Sequence, residues 1–96
     1  MDGQRFDWDP VKAESNLRRH RVSFEAVRSF DFEAAMIVAD DRDDYGELRW
    51  QATGPIGLRV HVLVYTMRGD TLRVISLRKA NDREIRTHER YVLNEP

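Results

Sequence analysis

The sequence predicts an α+β domain. An antiparallel β-sheet carries two N-terminal helices on one face and a C-terminal helix, in the order β-α-α-β-β-β-β-α. Three observations lead there. Asp9 and Pro10 carry the chemistry of a helix start, because the Asp oxygen accepts orphan N–H groups and Pro has no N–H to leave unpaired. From residue 35 to residue 78, four apolar runs are separated by short turns rich in Asp and Gly, the pattern of a meander. Asn81 precedes Glu84 by three positions, a capping box that opens a last helix.

Taken in order, residues 4–8 alternate as a short strand with Phe6 and Trp8 on one face. The first helix covers about 10–20. Projected at about 100° per residue, Ala13 and Leu17 form a narrow apolar seam, and Lys12, Asn16 and His20 follow one another along its border. Ser23 caps a second helix over roughly 24–32, burying Phe24, Val27 and Phe30. Residues 35–40 form a strand, and the acidic stretch Asp40-Asp-Arg-Asp-Asp-Tyr-Gly-Glu47 is a hairpin connection. The next strand spans about 47–53, with Leu48, Trp50 and Ala52 alternating against Arg49, Gln51 and Thr53. Gly54-Pro-Ile-Gly57 is read as a turn. Strand 58–67 points Val60, Val62 and Val64 one way and His61, Leu63 and Tyr65 the other. Arg68-Gly-Asp70 is a tight hairpin before strand 71–78. The last helix offers little to bury beyond Ile85, Val92 and Tyr91, so it is expected to dock loosely or to be completed by another chain.

The 96 residues, 1–96, make one domain with a modest core. Hydrophobic residues at 41% and charged residues at 34% describe a globular rather than a disordered chain. Without cysteine there is no disulfide, thiolate zinc site or Cys nucleophile. No basic-then-apolar leader pattern opens the chain, and its longest apolar run, from Ala34 to Ala39, is far too short to span a membrane. A cytoplasmic protein without membrane contact is expected.

The net charge of −1 argues against a general nucleic-acid binder, but the charge is polarised. Arg supplies 14 of the 16 basic residues, and Arg is the side chain suited to bidentate phosphate and carboxylate contacts. Basic residues gather at Arg18-Arg-His-Arg21 and between Arg68 and Arg90. Metal chemistry has no ligand set. His20, His61 and His88 are far apart, and a calcium-loop register from Asp41 puts Tyr45 and Ala52 where oxygen ligands are required. No phosphate loop, nucleophile elbow or dinucleotide fingerprint is present, so neither metal nor cofactor is expected.

An Arg-rich system remains: Arg49, Arg68, Arg73, Arg78, Arg83 and Arg86, with Arg83, Arg86 and Arg90 on one helical stripe. Singly, each arginine is accounted for by an ion pair with Glu84, Glu89 or the acidic stretch. Together they suit a polyanion or an acidic partner surface.

Phe6-Asp-Trp-Asp-Pro-x-Lys12, Asn16-Leu-Arg-Arg-His20 and Val22-Ser-Phe-Glu25 resemble the opening of the BrnT-type toxins of bacterial type II toxin–antitoxin systems. Arg49-Trp-Gln-Ala-Thr-Gly54, Val64-Tyr-Thr-x-Arg-Gly69, and Ile75-Ser-Leu-Arg-Lys-Ala80 with Arg83-Glu84 follow in the same order. The resemblance implies a RelE-like fold and toxic cleavage of RNA that blocks translation. It also implies neutralisation by a ribbon-helix-helix, BrnA-like antitoxin, operator binding by that complex, and a toxin pair within it. Two positions depart from the family pattern: Arg21 stands where Gly usually follows the His, and His88 where Tyr often occurs.

Metal-free RNA cleavage needs a base for the 2′-hydroxyl, cations on the phosphorane and an acid for the leaving 5′-oxygen. The expected catalytic set is His20 as base or acid, Arg78 as the phosphate clamp, Lys12 as charge neutraliser or proton donor, and Arg49 assisting. Asn16 orients the surroundings of His20, and Glu84 holds Arg83 or Arg78. Arg68, Arg73, Arg83, Arg86 and His88 contact RNA. Each has a plainer role: His20 as a helix C-cap, His61 as a packed strand residue, His88 as an i,i+4 partner of Glu84, Trp8 and Trp50 as core. An alternative of another class is a non-catalytic, Arg-rich module that grips antitoxin or DNA.

Overall fold

The computed structural model describes residues 3–94. Its elements are β1 (Arg5–Asp7), α1 (Pro10–His20), a 3₁₀ turn (Phe24–Ser29), β2 (Met36–Ala39), β3 (Trp50–Ile56), β4 (Arg59–Arg68), β5 (Thr71–Lys79) and α2 (Asp82–Leu93). The five strands form one sheet in the order β1-β5-β4-β3-β2. Strands β2 to β5 form the antiparallel meander, whereas β1 pairs with β5 in parallel, Phe6 opposite Leu72. The sheet is therefore mixed rather than purely antiparallel. No local turn joins β1 to β5, so neighbouring sequence carries no signal of that pairing.

The second expected helix is also corrected. Phe24, Val27 and Phe30 recur every three residues, which is the 3₁₀ period rather than the 3.6 of an α-helix. Phe30 then bridges to Ile56, and the Asp31 N–H donates to the Pro55 carbonyl at 3.0 Å, which draws the chain into extended pairing and stops the helix. The element order is thus β-α-3₁₀-β-β-β-β-α.

Helix α1 starts as its sequence dictates: the Asp9 carboxylate accepts the Val11 N–H at 2.8 Å, and Pro10 is the first helical residue. It ends on Arg21, which takes the left-handed conformation at φ 59° and donates its N–H to the Leu17 carbonyl at 2.9 Å. A non-Gly residue fills the cap that Gly favours.

The core lies between one sheet face and the layer made by α1 and the 3₁₀ turn. Leu63 on β4 sits between Ala52 of β3 and Leu77 of β5, all three fully buried, with Phe24 and Val27 over them. Full burial of side chains this size stabilises by about 1.5–3 kcal/mol each. A bulge at Ile75, between the pairs Tyr65–Val74 and Val64–Ser76, shifts the phase of β5 so that both Val74 and Leu77 face this core. Leu48, expected to open β3 in alternation with Trp50 and Ala52, precedes that strand and is exposed.

The expected turn at 54–57 is shorter than its sequence suggested. Gly54 and Pro55 lie inside β3, and the turn is Gly57-Leu58 with positive φ at the first position, as a two-residue hairpin requires. Gly54 is needed for close approach: a Cβ there would stand 2.9 Å from the Ala35 Cβ and 3.1 Å from Phe30. Gly54→Ala is expected to destabilise the domain by about 1–3 kcal/mol through overpacking, read as a lowered denaturant midpoint; an unchanged midpoint contradicts the packing described.

Helix α2 docks on the opposite sheet face through few contacts. Its capping box is complete, with Asn81 and Glu84 exchanging backbone-to-side-chain bonds at 2.9 Å each. Val92 and Leu93, in its last turn, are exposed. Among the described residues no helix is long and apolar enough to cross a membrane.

Candidate active site and arginine face

Among the described residues, no strand pairs with the outer side of β5 beyond Arg73, and α1 lies along that open edge. Asn16 closes it. Its Nδ2 donates to the Leu77 carbonyl at 2.7 Å and to the Val22 carbonyl at 3.1 Å, while its Oδ1 accepts the Leu77 N–H at 3.3 Å. The amide thus mimics a paired peptide, and at 8% exposure it is the buried residue of α1. Asn16→Leu leaves these backbone groups unpaired, and each unsatisfied group costs about 1–3 kcal/mol. Thermal unfolding is expected to fall by several degrees, and a melting temperature equal to wild type contradicts this role.

With Asn16 anchored, the same face of α1 overhangs a cleft of about 200 Å³ lined by Lys12, Ser15, Asn16, Arg19 and His20, with Ile75 and Ser76 as its floor. The expected row Lys12, Asn16 and His20 is brought together. Ser15 and Arg19 were not singled out in the sequence, although they follow Lys12 at i+3 and i+7 on the same helical face. Partial burial pushes the His20 imidazole below its ordinary value, and the positive charges of Arg19 and Arg78 push it further.

Arg78 projects from the sheet face opposite Leu77, in a cross-strand row with Val62 and Thr53. Glu84 holds it with two parallel bonds, Nη1 to Oε1 and Nη2 to Oε2, both 2.8 Å. These bonds raise the Arg78 pKa and hold the Glu84 carboxyl below its ordinary value. The Glu84 Oε1 that meets Arg78 also accepts the Asn81 N–H, so the clamp and the start of α2 are one construction.

Arg49 is not beside His20. It lies at the foot of β3, two strands from β5, in the row of Thr66 and Arg73; rows on one face are roughly 7 Å apart. There it stands over the Tyr45 ring at 4.1 Å from the centroid and 3.5 Å from Glu47, which also pairs with Arg68 at 3.6 Å. Arg73 pairs with Asp7 at 3.3 Å. Arg83 and Arg86 are exposed on α2. The arginines thus divide into Arg19 in the cleft, Arg78 clamped by Glu84, a second group of Arg49, Arg68 and Arg73, and a third on α2.

Two histidines do structural work. His88 is 7% exposed, and its Nε2 donates to the Ala34 carbonyl at 2.7 Å, tethering α2 to the chain before β2; it does not face solvent as an RNA contact would. His61 is buried on β4, with Nδ1 donating to the Arg59 carbonyl at 2.8 Å, and burial lowers its pKa. Among the described residues no group of His, Asp or Glu side chains is arranged to hold a metal ion.

No curated protein matches the chain. A family model described as "Ribonuclease toxin, BrnT, of type II toxin-antitoxin system" matches residues 8–84, a segment that runs from Trp8 to Glu84 and so contains the whole cleft and the Arg78–Glu84 clamp. An imidazole, an ammonium and a guanidinium around one cleft suit that description. The chain belongs to the BrnT family of ribonuclease toxins of type II toxin–antitoxin systems.

Proposed function

We propose that the protein is a metal-independent endoribonuclease that cleaves RNA by attack of the 2′-hydroxyl on the adjacent phosphate. The observation that carries this reading is the cleft under α1 where Lys12, Arg19 and His20 meet, with the charge of Arg78 acting on His20 from beside it. His20, neutral at pH 7 because its pKa lies below the ordinary value, takes the 2′-hydroxyl proton. The 2′-oxygen bonds to phosphorus, and the bond from phosphorus to the 5′-oxygen breaks. Arg78, already oriented by Glu84, stabilises the extra charge of the phosphorane. Lys12 neutralises or protonates the departing oxygen. The products are a 2′,3′-cyclic phosphate and a 5′-hydroxyl.

Arg49, Arg68 and Arg73 carry the flanking phosphates across the sheet, and Arg83 and Arg86 extend the track onto α2. Asn16 supports the site by fixing α1 on β5. A ribbon-helix-helix antitoxin is the proposed inhibitor, in a complex that binds operator DNA and contains a pair of toxins. Blocked translation in the cytoplasm is the consequence of RNA cleavage.

One observation favours the non-catalytic module: Arg49, Arg73 and Arg78 are each paired with a carboxylate of the chain itself. Variants separate the two readings. For an enzyme, His20→Ala abolishes cleavage and growth arrest while antitoxin binding survives. For a module, wild type cleaves nothing and Arg78→Ala weakens partner binding.

A further inference from the structure

The segment between β2 and β3 is held down by its own contacts. Its base is closed where the Asp40 N–H donates to the Arg49 carbonyl at 2.8 Å. The Asp40 carboxylate, 1% exposed, receives Arg42 at 2.7 and 2.8 Å, and these bonds draw it below the usual carboxylate range. Three residues after Arg42, the face of the Tyr45 ring meets the Arg49 guanidinium at 4.1 Å. Two residues later, the Glu47 carboxylate is shared between Arg49 at 3.5 Å and Arg68 at 3.6 Å.

That carboxylate satisfies neither cation. Charge-assisted bonds run to about 2.7–2.9 Å, and the Arg49 Nε is buried with no hydrogen-bond partner among the described residues. Two guanidinium groups therefore converge on an anion set too far back, with an aromatic ring stacked on one of them. Single-stranded nucleic acid offers the same two elements: a flat ring for a guanidinium face and a phosphate for paired cations. A phosphodiester likewise presents two charged oxygens, and unlike Glu47 it is not tied to the backbone of the segment, so it is free to settle at charge-assisted range of both groups.

We infer that residues 41–47 are an internal stand-in for a nucleotide: Tyr45 holds the place of a base on Arg49, Glu47 holds the place of a phosphate between Arg49 and Arg68, and single-stranded RNA binds this subsite by displacing them. The inference rests on the ribonuclease reading and adds to it a second subsite, separate from the His20 cleft. The acidic neighbours Asp41, Asp43 and Asp44 repel RNA while the segment is in place, so the free protein binds below its full strength.

The test is the affinity of a fluorescent 2′-O-methyl ten-nucleotide single strand, which has no 2′-hydroxyl to react, measured by anisotropy at fixed salt. Glu47→Gln is expected to tighten binding by about three- to tenfold. Asp41→Asn removes the same charge from a residue that makes no ion pair among the described residues, and is expected to change Kd less than about twofold. Adding Arg49→Ala to Glu47→Gln removes the gain. Binding by Glu47→Gln that is unchanged or weaker overturns the inference, as does an equal gain from Asp41→Asn. If wild type binds, Arg78→Ala weakens it and Glu47→Gln does not tighten it, the stand-in fails and the ribonuclease reading stands. If wild type and every variant fail to bind, the ribonuclease reading fails and takes the inference with it.

Discussion

Replacing Arg78 by alanine is expected to lower RNA cleavage by about 10²–10³-fold, the usual loss when one preorganised donor to a developing negative charge is removed. The size follows from how the guanidinium is held. Glu84 fixes both of its outer nitrogens, and Glu84 is itself fixed by the Asn81 N–H at the start of α2. A guanidinium held in this way needs little reorganisation to serve as the proposed phosphate clamp. Stability should change far less, because the ion pair is partly exposed and such pairs contribute about 0–1 kcal/mol. Arg78→Lys keeps the charge and loses the fork, so its cleavage rate should lie between those of wild type and Arg78→Ala. Single-turnover rates with a thermal melt alongside check both points, and a loss of activity that merely tracks unfolding contradicts the role.

His20→Gln is expected to cost about 10²–10⁴-fold, the range for a positioned proton-transfer group, and to remove the acid limb of the pH profile. The sign follows from the cations nearby. Burial, Arg19 and Arg78 all disfavour the imidazolium, so the pKa lies below the ordinary value. A base must be neutral, so wild-type kcat/KM should be flat around neutrality and fall only as pH drops through that lowered pKa. Arg19→Ala removes one repelling charge, and the limb should move to higher pH. A rate that instead falls as pH rises past neutrality assigns His20 the acid role.

Much of the site was legible because it is local. Asp9 and Pro10 set the start of α1, and the four-residue spacing of Lys12, Asn16 and His20 puts them on one face whatever that face meets. The capping box of α2 was equally plain, and with it the place of Glu84 next to the arginines. What escaped depends on distant partners. Asn16 is a backbone mimic only because Leu77, 61 residues away, presents an open edge. His88 turns inward to a carbonyl 54 residues away, so its position on an otherwise polar helix gave no warning. The parallel pairing of β1, and the two rows that separate Arg49 from Arg78, are likewise properties of the assembled sheet. The 3₁₀ turn was legible in principle. Phe24, Val27 and Phe30 recur at three, a spacing close to the α-helical period of 3.6 but equal to that of a 3₁₀ helix.

If RNA is cleaved by 2′-hydroxyl transesterification at the His20 cleft, the ends of the products record it. Purified protein is incubated with a labelled single-stranded RNA in EDTA, and the fragments are analysed for their termini. Fragments bearing 2′,3′-cyclic phosphate and 5′-hydroxyl ends, absent with His20→Ala and Arg78→Ala, are the predicted result. Fragments with 3′-hydroxyl and 5′-phosphate ends, or RNA left intact by wild type, contradict it.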